Sequence, residues 1–185
     1  YTDFIFSDKK CFNVYDGWDA NVYSTTLYKD KEELEALQMG AVQMLAPTLS
    51  KFGSLGIREF EVFDLPYLFA DKVSLARITR GSVGQQLFGI LEQKGIKGLA
   101  YWDNGFKMMS ANKPIRVPAD MRGLKIRIQG SKVLDEQMRT LGANPQVMSF
   151  SEMSQALQSG VVDGAENPPL NFFSQKSLKF KSICA

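Results

Sequence analysis

The chain has 185 residues, of which 44% are hydrophobic and 23% are charged, and its formal net charge is +2. This length and composition suit a globular protein with one ordinary domain or two small lobes. Both signs of charge are interspersed, and no basic block or acidic tail resembles a nucleic-acid-binding surface. No apolar run approaches the roughly 20 residues of a membrane helix. We therefore expect neither a nucleic-acid partner nor insertion into a membrane.

The sequence contains no histidine, and this absence narrows the possible chemistry. It excludes a Ser-His-Asp or Cys-His nucleophile, a histidine-ligated metal and histidine acid–base catalysis. Gly84 and Gly89 have the first spacing of a phosphate-binding loop, but residues 90–91 lack the required Lys and Ser or Thr. Asp163 and Glu166 lie three residues apart on a predicted strand, which places them on opposite faces. We predict no catalytic residue, no metal site and no cofactor, so the chain is not expected to be an enzyme.

The two cysteines, Cys11 and Cys184, stand near opposite ends of the chain. Two thiols can form one disulfide, but their spacing does not indicate pairing and does not identify the redox compartment. The first residues lack the basic and longer apolar regions of a signal peptide. Three interpretations of this start stay open: a mature chain, a fragment, or a protein that remains where it is made.

Hydrophobic periodicity and turn residues predict helices that alternate with strands after an irregular start at 1–26. The predicted elements are, in chain order, a helix capped by Asp30 that ends at Gly40, a strand at 41–46, a helix capped by Asp71 that runs to about Arg80, a helix at 82–94, a strand at 96–102, a turn at 103–105, an extended stretch at 106–110, a strand at 124–128, a helix at 131–141, a strand at 146–148, a helix capped by Ser149 that ends at Gly160, and a strand at 161–165. This alternation is typical of an α/β fold with largely parallel sheets.

One internal similarity concerns residues 36–42, which recur in similar form as residues 156–162. In both copies a capped helix turns at a glycine into an apolar strand. One interpretation is that any α/β chain reuses this unit. The other is two lobes of similar construction, each with a strand end at a shared cleft, which makes Pro47 and residues 166–167 candidate cleft walls.

Arg127 is the best candidate for binding an anion. In residues 124–128 hydrophobic side chains alternate with Lys125 and Arg127, so the two cations point away from the hydrophobic face. A guanidinium at a strand end can hold a carboxylate with two parallel hydrogen bonds. The alternative is a solvated surface arginine, and alternation by itself favours that alternative.

Three further residues are weaker candidates. Lys107 follows the turn at 103–105 and can add a second positive charge, although a lysine in this position is more often on the surface. Asn167 precedes a proline and is biased to an extended conformation that leaves its amide for a ligand, or else it is a turn residue. Phe150 can form an apolar wall, with packing in the core as the alternative.

Several segments of the chain together resemble one known family. They are residues 30–44, 63–69, 123–129, 150–152 and 162–168. In the same order they are similar to the extracytoplasmic solute receptors of TRAP transporters, and most to the DctP type, which is associated with C4-dicarboxylates. The likeness covers roughly residues 27–177.

The resemblance implies an α/β, two-lobed periplasmic-binding-protein-like fold of the class II type. We place lobe I at 1–110, lobe II at 111–185, the ligand cleft between them and a hinge near 105–115. It also implies a periplasmic receptor that captures a small organic acid and delivers it to the membrane components of a TRAP transporter. Residues 1–26 match poorly and family members continue far beyond residue 177, so both lobes are expected to be incomplete.

The resemblance also implies roles for individual residues. Arg127 pairs with the ligand carboxylate, and Asn167 and Phe150 contribute from the same lobe. Lys107 stands where many members carry a second basic residue, frequently arginine. A lysine there supplies a point charge and not the planar pair of hydrogen-bond donors that an arginine has. The candidate ligand-binding residues are Arg127, Asn167, Phe150, Lys107, Gln129 and Pro47. Two alternatives stay open, an effector-sensing domain of a regulator with the same architecture and a truncated relic that binds nothing.

Overall fold

The computed structural model describes residues 12–14, 18–20, 28, 32–174 and 183–184, with side chains for residues 28 and 32–172. Asp30 and Cys11 lie outside the described residues, and so does the side chain of Cys184. The cap expected at Asp30 and the question of a disulfide therefore stay at the level of prediction.

Short helices and strands make up the described part of the chain, and they alternate one by one from residue 125 onward. They are, in chain order, β1 Phe12–Val14, β2 Trp18–Ala20, α1 Glu33–Gln38, α2 Lys72–Arg80, α3 Ser82–Glu92, β3 Met108–Ala111, β4 Lys125–Ile128, α4 Lys132–Thr140, β5 Asn144–Val147, α5 Phe150–Gln158, β6 Gly164–Asn167, α6 Pro169–Ser174 and β7 Ile183–Cys184. The described residues also include 3-10 helical segments at Leu49–Leu55, Arg58–Asp64 and Pro118–Met121. This order confirms the predicted α/β class.

A five-stranded sheet organises the second half of the chain, with the strand order β5-β4-β6-β3-β7. β4 runs parallel to β5 and to β6, whereas β3 is antiparallel to β6 and to β7. The prediction of largely parallel sheets is correct only for β5, β4 and β6. β3 differs because it follows α3 through the long segment 93–107 and enters the sheet from the opposite end.

Three of the predicted helix starts are confirmed by their capping contacts. The Asp71 carboxylate accepts a hydrogen bond from the Ser74 amide at 2.7 Å. The Ser131 hydroxyl accepts one from the Leu134 amide at 3.3 Å. Before α5 the Ser149 amide donates to the carboxylate of residue 152 at 3.2 Å, as a capping box requires.

Two predicted strands, at 41–46 and 96–102, are wrong. The amides of residues 41–42 both donate to the Ala36 carbonyl and so complete the end of α1. Met44 is 74% exposed, which is not the environment of a buried strand. A hydrophobic run forms a strand only beside a partner that accepts its hydrogen bonds, and no described strand runs alongside either segment.

The two similar segments end in the same way. The amides of residues 41–42 lie 2.9 and 3.3 Å from the Ala36 oxygen, and those of residues 161–162 lie 3.0 and 3.3 Å from the Ala156 oxygen. The glycine before each pair adopts a positive φ, 75° in the first copy and 72° in the second. The helix ends are therefore repeated, but among the described residues the second copy alone leads into a strand.

The buried hydrophobic residues form separate clusters. One draws its fully buried members from residues 34–96. A second joins β4 to α4, and a third joins β6 to α5 and α6. The sheet is thus covered on both faces in the second half of the chain. β3 crosses the expected lobe boundary at 110/111, and the placement of that boundary stays a prediction.

Two glycines of α3 provide a test of how closely α2 and α3 pack. A Cβ atom at Gly84 would lie 1.9 Å from the Thr79 carbonyl oxygen, whereas one at Gly89 would have nothing within 4 Å. We expect Gly84→Ala to lower the free energy of unfolding by about 1–3 kcal/mol because the helices must move apart. Gly89→Ala should raise it by about 0.5–1 kcal/mol, since alanine favours a helix interior.

Urea denaturation of the two variants measures both effects. A change of the same sign in both would contradict the packing described for α2 and α3.

Candidate functional site

The parallel strands bring most of the predicted site residues to one edge of the sheet. β4, β5 and β6 all end there, and β3 begins there because Met108 pairs with Asn167. The residues placed at this carboxyl edge are Lys107 before β3, Arg127 and Gln129 at the end of β4, Phe150 after β5 and Asn167 at the end of β6. Pro47 is not on this sheet. It lies partly exposed before Leu49–Leu55, and its role as a cleft wall stays a prediction.

Arg127 is buried, with 2% of its surface exposed. Its Nε and Nη2 atoms both donate to the Met148 carbonyl oxygen, at 3.0 and 2.8 Å. It lies in register with Ala165 of β6, whose face of the sheet is covered by α5 and α6. The alternative of a solvated surface arginine is therefore wrong. Alternation correctly placed the side chain away from Ile126 and Ile128, but could not show that helices cover this face too.

Asn167 is the last residue of β6 and is buried. Its Nδ2 atom donates to the Met153 sulfur at 3.0 Å, and its Oδ1 atom accepts from Asn171 Nδ2 at 3.1 Å. The Asn171 Oδ1 atom in turn accepts from Asn104 Nδ2 at 3.1 Å. This chain of amides connects the end of β6 to the segment that precedes β3.

The two remaining residues of the edge differ in their surroundings. Phe150 packs against the cluster of Met153, Ala165 and Phe172, so the structure favours the core-packing interpretation of this ring. Gln129 directly follows β4 and is buried, with 8% of its surface exposed. Contacts of either side chain with a ligand stay a prediction.

Lys107 lies between two carboxylates. Its Nζ atom is 2.8 Å from Asp64 Oδ1 and 3.3 Å from Glu166 Oε2, and its side chain is 14% exposed. The alternative of a surface lysine is therefore wrong. Asp64 was not among the predicted site residues, although an acidic residue within the aromatic-rich run at 60–69 is a sign of a buried carboxylate that needs a partner.

The electrostatics of this cluster follow from its burial. Burial by itself disfavours the charged ammonium, but the carboxylates of Glu166 and Asp64 outweigh it and raise the pKa of Lys107 above its usual range. Burial raises the pKa of the Glu166 carboxyl, against the opposing charges of Lys107 and Arg127. The Asp64 Oδ2 and Glu166 Oε2 atoms are buried and accept no hydrogen bond among the described residues. Lys107 thus stays charged between Asp64 and Glu166.

None of the helices in the described part of the chain is both long and apolar enough to cross a membrane. The described residues also contain no group of three or more His, Cys, Asp or Glu side chains that could hold a metal ion.

Comparison with known proteins identifies the family. The profile described as "Bacterial extracellular solute-binding protein, family 7" matches residues 19–183. The chain therefore belongs to this family of solute-binding receptors, as the motifs predicted. Its relatives include the C4-dicarboxylate-binding periplasmic protein DctP of Rhodobacter capsulatus, which is 65% identical over 85% of this chain and 48% of its own length.

Solved structures confirm the fold. A TRAP periplasmic solute-binding protein from Sulfurospirillum deleyianum with bound succinate is 48% identical and superposes with a TM-score of 0.82, over 84% of this chain and 50% of that one. One from Pseudomonas aeruginosa with bound L-malate is 43% identical, with a TM-score of 0.78 over 82% and 53% of the two chains. The chain has the α/β fold of these two-lobed proteins and spans about half of their length.

The pairing of Lys107 predicts a strong effect of removing its charge. Lys107→Met leaves two buried carboxylates together, and we expect it to lower the free energy of unfolding at pH 7 by about 3–5 kcal/mol. Burial already raises the pKa of the Glu166 carboxyl above its unfolded value, and loss of the ammonium, which opposes that effect, raises it further in the folded variant than in the wild type. The folded variant then binds more protons than the unfolded chain, so the deficit should shrink as the pH falls from 7 to 5.

Urea denaturation of variant and wild type at both pH values measures this deficit. The control is Lys97→Met, which removes an exposed ion pair with Glu92 and should change stability little at either pH. A deficit that is constant or grows toward pH 5 would contradict the pairing.

Proposed function

We propose that the chain is part of a periplasmic receptor that captures a C4-dicarboxylate or a similar small organic acid for the membrane components of a TRAP transporter. The observation that carries this proposal is the buried Arg127 guanidinium at the carboxyl edge of the sheet. The names of the relatives and the acids bound in the similar structures support it. All of these proteins bind solutes, which favours a receptor over an enzyme.

Arg127 is suited to a carboxylate because its orientation is set before a ligand arrives. Two of its nitrogen atoms donate to one backbone oxygen, that of Met148, and these two bonds fix the plane of the guanidinium. A guanidinium with a fixed plane loses little side-chain entropy when it pairs with a planar carboxylate. Burial keeps water away, so the attraction between the two charges is stronger than on the surface.

The neighbouring groups complete the proposed site. Asn167 is held at the end of β6 by its amide contacts and contributes an amide to the ligand, while Gln129 and Phe150 border the carboxyl edge. Lys107 adds positive charge at the same edge, and Asp64 and Glu166 hold its ammonium in place. Pro47 forms the wall from the other lobe.

Binding is proposed to favour closure of the two lobes, at 1–110 and 111–185, about the hinge near 105–115. Closure around the ligand removes water from the pair of Arg127 and carboxylate and so strengthens it. In this arrangement the solute is held between the lobes until the receptor meets the transporter.

Arg127→Lys is the sharpest test of the proposed function. Succinate at 100 times its dissociation constant should stabilise the wild type by about 2.7 kcal/mol, which corresponds to a shift of several degrees in Tm. Lysine keeps the positive charge but cannot form two parallel hydrogen bonds with a carboxylate. We therefore expect about 100-fold weaker binding of succinate and almost no shift in Tm at the same concentration. Thermal unfolding with and without succinate, L-malate and a monocarboxylate measures this.

The matched control is Arg139→Lys, which replaces an exposed arginine paired with Asp135 and should keep the full shift. Lysine is preferable to alanine at 127 because the side chain is buried and an alanine would also leave a cavity. An undiminished succinate shift in Arg127→Lys would contradict the proposed role of the guanidinium.

A further inference from the structure

The 3-10 segment Arg58–Asp64 carries two buried carboxylates, those of Glu61 and Asp64. In a 3-10 helix residues three apart lie above one another on one side. Both carboxylates accordingly contact the second half of the chain, where the candidate binding site lies. Glu59 of the same segment is exposed.

Glu61 reaches the beginning of α4. Its Oε2 atom accepts hydrogen bonds from the amides of Lys132 at 2.9 Å and Val133 at 3.4 Å. These amides lie in the first turn of a nine-residue helix, where N–H groups have no partner within the helix and the helix dipole favours a negative charge. Behind Glu61 stands Gly53, where a Cβ atom would lie 2.5 Å from the Glu61 Oε1 atom. The carboxylate is thus confined between α4 and Leu49–Leu55.

Asp64 makes the second contact, one 3-10 turn further along. It bonds the Lys107 ammonium, which also pairs with Glu166 of β6. The segment Arg58–Asp64 is therefore joined to α4 by Glu61 and to β3 and β6 by Asp64. We call these two contacts the carboxylate clamp.

One contact of the carboxylate clamp lies near Arg127 along the chain. Residues 129–131 connect the end of β4 to α4, so Lys132 at the start of α4 follows Arg127 of β4 by five positions. A carboxylate that holds the first turn of α4 therefore also holds the loop that includes Gln129. The contact comes from the first lobe as we have placed it, so it also joins the two lobes.

We propose that Glu61 is a positioning residue for ligand binding. It fixes the start of α4 and the loop 129–131 beside Arg127, and it holds the first half of the chain against the site while the ligand is bound. This inference rests on the proposed function as an organic-acid receptor. Glu61 does not touch the ligand, and its effect is to prolong the bound state.

Glu61→Gln tests the clamp with little change in side-chain volume. It removes the charge that the two amides of α4 contact, so we expect succinate to dissociate about tenfold faster, while the association rate stays within about twofold. Stopped-flow measurements on the 185-residue chain give both rates. Glu59→Gln is the matched control on the same segment and should leave both rates unchanged. Glu61→Asp keeps the charge, so its dissociation rate for succinate should lie between those of the wild type and Glu61→Gln.

Hydrogen exchange adds a readout that does not depend on a ligand. The amides of Lys132 and Val133 should exchange faster in Glu61→Gln than in the wild type or Glu59→Gln, because they lose their charged acceptor. Faster exchange without a change in the dissociation rate would mean a purely structural contact and would overturn the proposal.

The two proposals fail in different ways. If the wild type binds no organic acid, the proposed function fails and the positioning role of Glu61 fails with it, whereas exchange at Lys132 and Val133 still tests the contact of Glu61 with α4. Unchanged exchange there in Glu61→Gln would overturn the clamp.

Discussion

The structure depends on the pairing of buried charges at the carboxyl edge of the sheet. Arg127, Lys107 and Glu166 are removed from water there, and an ionised group in the interior is tolerated only with partners. The Met148 carbonyl, Asp64 and Glu166 supply those partners from three separate parts of the chain. Strand pairing brings the ends of β4, β5 and β6 and the start of β3 to one edge, and there these partners reach the buried charges.

The polar and charged side chains at that edge come from both faces of the sheet. In β6 neighbouring side chains alternate, so Ala165 and Asn167 lie on the face covered by α5 and Glu166 lies on the face covered by α4. Because a ligand at the ends of parallel strands can be reached from either face, both sets of groups can serve one site. The edge therefore combines a guanidinium fixed by the Met148 carbonyl with an ammonium paired to carboxylates.

Much of the fold could be predicted from local signals. Asp71, Ser131 and Ser149 each start a helix because a side chain near the cap satisfies amides that the helix leaves unpaired, and this needs no distant residue. The strands at 41–46 and 96–102 were predicted wrongly because hydrophobicity shows that a segment avoids water but not whether a partner strand lies beside it. The same limit applies to Arg127, whose direction followed from alternation while its burial depended on α5 and α6.

By itself, the sequence determined the α/β class, the helix starts at Asp71, Ser131 and Ser149, and the family. These features rest on contacts within a few residues or on motifs in a recognisable order. Tertiary structure alone decided that Asp64 would bond Lys107, 43 positions away, and that Glu61 would bond the amide of Lys132, 71 positions away. An acidic residue in an aromatic-rich segment shows that a partner is needed, but the partner is chosen by how the chain packs, because a buried carboxylate pairs with whatever donors folding brings within about 3 Å.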